Sequence, residues 1–183
     1  MMTVKEFIIL HRIAINQGEI MTYISEAPKP SQIARKRPPS SLNDLTMGEL
    51  LQLQAMNDGI DVFIVPCKVL LGLKESEVMK ADASEVLGLA RWVAKEIERI
   101  NKLFEAVTVK PTPQEERAGI NNLNLGVFGM IDWYAQRMGI TNHEEVESVP
   151  WVRVYKCMEI DAKKTIYQRR LQQVYNEERR NRK

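Results

Sequence analysis

Four times along this chain a residue able to cap a helix stands three places ahead of a glutamate: Thr46 and Glu49, Asp82 and Glu85, Thr112 and Glu115, Thr141 and Glu144. At this spacing the first side chain accepts from the backbone N–H three residues on, while the glutamate reaches back to the capping residue's own N–H. Two of the donors that every helix start leaves unpaired are thereby satisfied. Behind the second pair, Val86, Leu89, Ala90, Val93, Ile97, Ile100, Leu103, Phe104 and Val107 recur at intervals of three and four. Arg91, Lys95, Glu98, Arg99 and Lys102 take the other faces. That is the period of a helix with one buried side. The pattern predicts an all-α fold, at least half helical with little or no sheet. Its central core stripe is Val86, Leu89, Val93, Ile97, Ile100 and Phe104.

Other segments fill in the layout. Residues 3–17 carry Phe7, Leu10, His11 and Ala14, with Ile8 and Ile15 one position off, at helical spacing up to a stop at Gly18. Residues 19–25 alternate loosely and read as a strand or a further helical turn. Pro28, Lys29 and Pro30 are followed by Arg35, Lys36, Arg37, Pro38 and Pro39. These two proline clusters remove backbone donors and restrict the residues before them, so an exposed linker is expected over 28–41. A helix follows Thr46 and should end near Asp58-Gly59. Between Asp61 and Leu73 a buried helix starting at Pro66 is preferred, with a short strand before it as the alternative. Thr112-Pro113 opens a short helix, proline being harmless at the first helical position. Leu123–Met138 reads as a helix stopped by Gly139. The last segment, Trp151 to about Glu178, holds no Gly or Pro, and its apolar stripe drifts in phase from Trp151, Tyr155, Met158 and Ala162 to Tyr167, Leu171, Val174 and Tyr175. The expected architecture is a single compact helical domain with an N-terminal helical arm (1–27), a Pro/basic linker (28–41) and a body (42–183) that ends in a long basic helix.

The net charge of +2 conceals an uneven distribution. Residues 1–39 hold six Lys/Arg and three Asp/Glu, residues 40–150 ten and seventeen, and residues 151–183 ten and four. An acidic body between basic ends suits an acidic partner, nucleic acid or a second copy of the chain. The candidate interaction residues are Arg35, Lys36, Arg37, Arg169, Arg170, Arg179 and Arg180. Tyrosines interleaved with the arginine pairs could track a nucleic-acid backbone. A helix end that keeps its cations beside the negative pole of the dipole is the simpler account. No apolar run approaches the roughly 18–20 residues needed to cross a bilayer, and no secretory leader is evident. With only Cys67 and Cys157, far apart, a reducing cytosol is the expected compartment.

Catalytic signatures are missing from the sequence. His11 and His143 lie in separate segments, and His143-Glu144-Glu145 lacks the second histidine of a zinc helix. Cys67, in an apolar run, reads as a buried, inert thiol. Gly126-Val127-Phe128-Gly129 lacks the Lys-Ser/Thr of a phosphate loop. A helix-turn-helix over Tyr134–Val146 is disfavoured because Val146 falls one place late and Glu144, Glu145 and Glu147 would repel phosphates. No catalytic, cofactor-binding or metal-binding residue is assigned, and a non-enzymatic role is expected.

One resemblance runs through these elements. It is carried by Phe63-Ile64-Val65-Pro66-Cys67-Lys68-Val69-Leu70-Leu71-Gly72-Leu73, the helix from Asp82, and Leu123–Gly139 with Phe128, Gly129, Asp132 and Ala135. It ends with Val146-Glu147-Ser148-Val149-Pro150-Trp151, Val154-Tyr155 and Tyr167-Gln168-Arg169-Arg170-Leu171. Over roughly residues 44–175 the chain resembles the tail assembly chaperones that tailed bacteriophages encode beside the tape-measure gene. That resemblance implies binding to the long apolar helices of a tape-measure protein, or to other tail and virion proteins, in the bacterial cytoplasm, with no catalytic residues and no cofactor. The second reading is a structural or packaged virion protein, or a nucleic-acid-associated accessory protein that uses the basic ends. Homo-oligomers are compatible with both, and neither involves a membrane.

Overall fold

The computed structural model describes residues 2–13, 27–56, 59–123 and 125–182, the side chains of 11–13 excepted. Helix accounts for 69% of the described residues, and no strand occurs among them. The fold is all-α, as the capping pairs and stripes predict. The helices are α1 (Val4–Ile13), α2 (Met47–Gln54), α3 (Asp61–Leu71), α4 (Glu75–Val78), α5 (Ala83–Ala106), α6 (Pro113–Arg117), α7 (Gly126–Met138), α8 (His143–Glu147) and α9 (Trp151–Asn181), with a 3-10 turn at Ile120–Asn122. The expected stop at Gly18 and the strand or turn over 19–25 lie outside the described residues. The chain divides into two compact units, Met1–Ile100 and Asn101–Lys183.

The helix starts follow their capping chemistry. Thr46 Oγ1 accepts from Glu49 N at 3.2 Å while Glu49 Oε2 accepts from Thr46 N at 2.8 Å, and Thr112 and Glu115 do the same. Asp82 Oδ1 accepts from the N–H groups of Ser84 and Glu85, at 2.8 and 3.4 Å. The fourth cap is Asn142 rather than Thr141, its Oδ1 accepting from Glu144 N at 3.0 Å. Two further starts have glutamate caps that were not read from the sequence, one of them on the helix expected from residue 3. Thr3 and Glu6 form a reciprocal pair before α1, and Glu77 reaches back to Lys74 N at 2.7 Å before α4.

In the first unit, α1 is tied into the body rather than held off as an arm. Val4 N donates to Ala81 O, Lys5 N to Met79 O, and Ala83 N to Met2 O. Val4 is fully buried, Phe7 nearly so, and the Phe7 ring meets that of Phe63 edge-on at 6.1 Å. That contact bears on α3, which begins at Asp61 and carries Pro66 inside it, not at its start. Proline removes one helical hydrogen bond and disfavours helical backbone before it. An aromatic pair of this kind returns about 0.5–1.5 kcal/mol beyond its buried area, which favours keeping Phe63 helical ahead of the proline.

The proline-rich stretch is the second departure. Most of its residues are exposed, but Ala27, Ile33 and Leu42 are buried and fasten it to the unit. Lys36 Nζ donates to the carbonyls of Leu71 (2.7 Å) and Gly72 (3.1 Å) at the end of α3. Arg91 Nη1 donates to Ala27 O at 3.1 Å, and Lys29 Nζ lies 3.4 Å from the Trp92 ring centroid while donating to Pro39 O at 2.6 Å. Residues 27–42 are therefore a largely exposed stretch that is nonetheless strapped across α5. The closest approach is at Gly88, where a Cβ would collide with the Pro28 carbonyl oxygen. On α5 itself, Val86, Leu89, Val93 and Ile100 are buried as expected, Ile97 and Phe104 only partly, and Leu87, Gly88 and Ala90 are buried as well.

Gly88→Ala is expected to push the strap away and to cost about 1–3 kcal/mol, as overpacking does. Its check is faster tryptic cleavage after Arg35 together with a lowered melting temperature. Leu89→Ala should cost about 2–5 kcal/mol in a denaturant titration and Ile97→Ala clearly less, because cavity costs scale with the volume emptied.

Candidate interaction surface

The second unit is built on aromatic packing where α9 begins. Trp151 and Val154 are buried together with Tyr134, Ala135 and Val146. The Phe104 ring lies 6.0 Å from Trp151 and 5.7 Å from Tyr155. α7 ends at Gly139, whose φ of 68° suits glycine. Ile140 N donates to Ala135 O at 2.9 Å, closing the turn behind it. α8 is only five residues long and buries Val146, so it serves as a packing element.

On a helical wheel α9 has two faces. Trp151, Val154, Tyr155, Met158, Ala162 and Arg169 share one of them. Arg169 closes that face: Nη1 donates to Lys110 O at 2.7 Å, and Nη2 donates to both Glu115 carboxylate oxygens, at 3.0 and 2.9 Å. Ile160, Tyr167, Leu171, Val174 and Tyr175 lie on the opposite side, within an arc of about 100° at 3.6 residues per turn. Tyr167 is 63% exposed, Tyr175 51%, Val174 48% and Ile160 46%. The drift in phase read from the sequence is thus a change of face: an inner stripe gives way to an outer one.

The candidate cations have different fates. Lys36 is engaged in the first unit at the end of α3, and Arg35 and Arg37 are exposed. In the second unit Arg169 is a clamp on Glu115, whereas Arg170, Arg179 and Arg180 are exposed along the outer part of α9. Further apolar exposure, absent from the sequence-derived candidates, surrounds the start of α7: Leu123, Leu125, Val127 and Phe128 are each more than half exposed. The signal was present in the string Leu123-x-Leu125-x-Val127-Phe128, but helical periodicity alone does not say which side is covered.

Burial pushes the Cys67 thiol up to about 12, so it is protonated and inert. His143 Nε2 sits 3.1 Å from Asp132 Oδ1, and Asp132 accepts from Gln136 at 2.6 Å; histidine and aspartate are both about 41% exposed. No group of three or more His, Cys, Asp or Glu side chains arranged for a metal occurs among the described residues. No described helix is long and apolar enough to cross a membrane.

Two carboxylates of this unit are held charged. The backbone N–H of Thr112, then its hydroxyl, then Arg169 keep Glu115 below the usual carboxylate range; Lys156 and then Lys163, each at 2.8 Å, bring Glu159 down to about 2. A carboxylate whose pKa falls on folding stabilises the fold above its unfolded value, and that contribution disappears as pH drops through the folded one. The melting temperature should accordingly hold above about pH 5 and fall between pH 4.5 and about 2. Glu159→Gln should flatten the acid limb in a series of thermal melts.

The chain matches no protein-family model, no curated protein and no solved structure.

Proposed function

We propose that this chain is a non-enzymatic bacteriophage morphogenesis protein, a tail assembly chaperone that binds the helical tape-measure protein in the host cytoplasm. The observation that carries this reading is the outer stripe of α9: a two-faced helix whose second apolar side is left in solvent. Single exposed apolar residues need no explanation, but aligned ones on a helix suit a helical partner. The resemblance over roughly residues 44–175 supplies the identity of that partner.

Capture of the tagged chain from its native host, followed by mass spectrometry, tests the proposal. Recovery of a large, helix-rich tape-measure protein is expected, and recovery of capsid or connector proteins alone would replace the chaperone with a structural or packaged virion component.

That second reading draws on the exposed Arg170, Arg179 and Arg180, which could meet nucleic acid. Binding of labelled DNA is expected to be weak and to vanish at physiological salt, because phosphate contacts are lost steeply as counterions are restored. Tight binding that survives physiological salt and depends on residues 176–183 would favour the nucleic-acid role.

A further inference from the structure

We propose that residues 27–42 form a strained latch, which opens as a unit while the helices beneath it stay folded and uncovers the Gly88, Arg91 and Trp92 side of α5. The latch is a property of the first unit alone and does not depend on what the chain binds.

The strain sits at the tip of the strap. Ile33 N donates to Lys36 O at 2.8 Å and Lys36 N to Ile33 O at 2.9 Å, closing a two-residue turn over Ala34 and Arg35. Both central residues have left-handed backbone, with φ of 46° and 65°. A closed turn with two positive φ angles favours asparagine followed by glycine, because a Cβ crowds the following carbonyl in that region. Alanine and arginine each carry that Cβ. Such backbone persists only where its surroundings hold it. Here both ends of the turn are held: Ile33 is fully buried, and Lys36 Nζ is drawn onto the carbonyls of Leu71 and Gly72. Lifting the strap frees both ends and lets Ala34 and Arg35 return to ordinary backbone. Strain therefore favours the open strap, and the anchors favour the closed one.

The anchors can let go without the helices. Ala27, Ile33 and Leu42 are single apolar residues in separate buried sites. The polar ties run through side chains: Arg91 holds Ala27 O, Glu96 accepts from the Leu42 N–H, and Lys36 reaches the end of α3. When they break, α3 and α5 keep their own internal hydrogen bonds. Segments with few buried apolar contacts and mostly exposed backbone open at lower free energy than the core, and most of residues 28–41 are exposed. Opening uncovers a defined row on α5. The Pro28 carbonyl leaves Gly88, Arg91 loses Ala27 O, and Trp92 loses the Lys29 ammonium that sits 3.4 Å from its ring centroid.

Native-state hydrogen exchange of the full chain, followed by NMR at increasing but sub-denaturing guanidinium, tests the latch. The amides of Ile33, Lys36 and Leu42 are expected to be protected relative to a free peptide, yet to exchange roughly a hundredfold faster than those of Leu89 and Val93. Their rates should depend little on denaturant, since a local opening exposes little surface. Ala34→Asn with Arg35→Gly, residues suited to the turn, should slow all three amides about fivefold. Arg35→Val, with a branched Cβ that tolerates left-handed backbone poorly, should speed all three by about the same factor. Exchange of the strap amides at the rate and denaturant dependence of Leu89 and Val93 would overturn the proposal, because the strap would then open only with the whole unit. So would exchange as fast as in a free peptide, which means no docked strap. A response at Ile33 and Lys36 without Leu42 would reduce the opening to fraying of the turn, and rates unmoved by either variant would remove the strain.

Discussion

The close approach of the Pro28 carbonyl to Gly88 is the contact on which the first unit turns. A helix lying on a protein surface buries one side, yet α5 buries Val86, Leu87, Gly88, Leu89 and Ala90 in succession. Five consecutive residues cover more than a full turn, so another segment must cover the side that would otherwise face water. The strap of residues 27–42 does this, and only a residue without a side chain lets its backbone come so near. Once the strap is down, Ile33 and Leu42 gain buried sites, Lys36 reaches the carbonyls that end α3, and Lys29 settles on Trp92.

This explains why the fold class was legible in the sequence and the fastening of residues 27–42 was not. Capping pairs and three-four periodicity are local: both partners lie within a few residues, so Thr46, Asp82 and Thr112 announce helices without knowledge of the rest. The slip from Thr141 to Asn142 is of the same local kind, since adjacent residues can each serve as the cap. The strap is a long-range matter. Prolines do prevent residues 28–41 from forming a helix or a ladder, but lack of regular structure is not lack of contact. Its anchors, Ala27, Ile33 and Leu42, are isolated apolar residues with no period to betray them. Gly88 lies off the expected stripe for the same reason: the Pro28 carbonyl that comes down on it belongs to a segment far earlier in the chain. Pro66 inside α3 repeats the point, because its cost is local while the ring contact that compensates a part of it, Phe63 on Phe7, joins distant segments.

For the candidate site, composition identified a basic C-terminal helix but treated its arginines as one group. The structure separates them by angle around α9. Arg169 shares the inner face with Trp151 and is drawn onto Glu115, a carboxylate already fixed by Thr112 at the start of α6. Arg170, one residue and about 100° further round, borders the outer stripe. Adjacent arginines thus have different surroundings, one paired and one exposed, and only their positions relative to the buried tryptophan distinguish them.

The two faces of α9 also bear on how such a helix remains in solution with apolar side chains uncovered. Packing and the Arg169 clamp secure the inner face, and isolated helices without such support are marginal in water. On the outer side the apolar residues are interrupted along the helix by charged ones of both signs, Lys164, Arg170, Glu177 and Glu178, rather than merged into a broad patch. Scattered apolar side chains among such charges are an ordinary feature of a protein surface, and it is the packing of the inner face, not the outer one, that holds this helix in place.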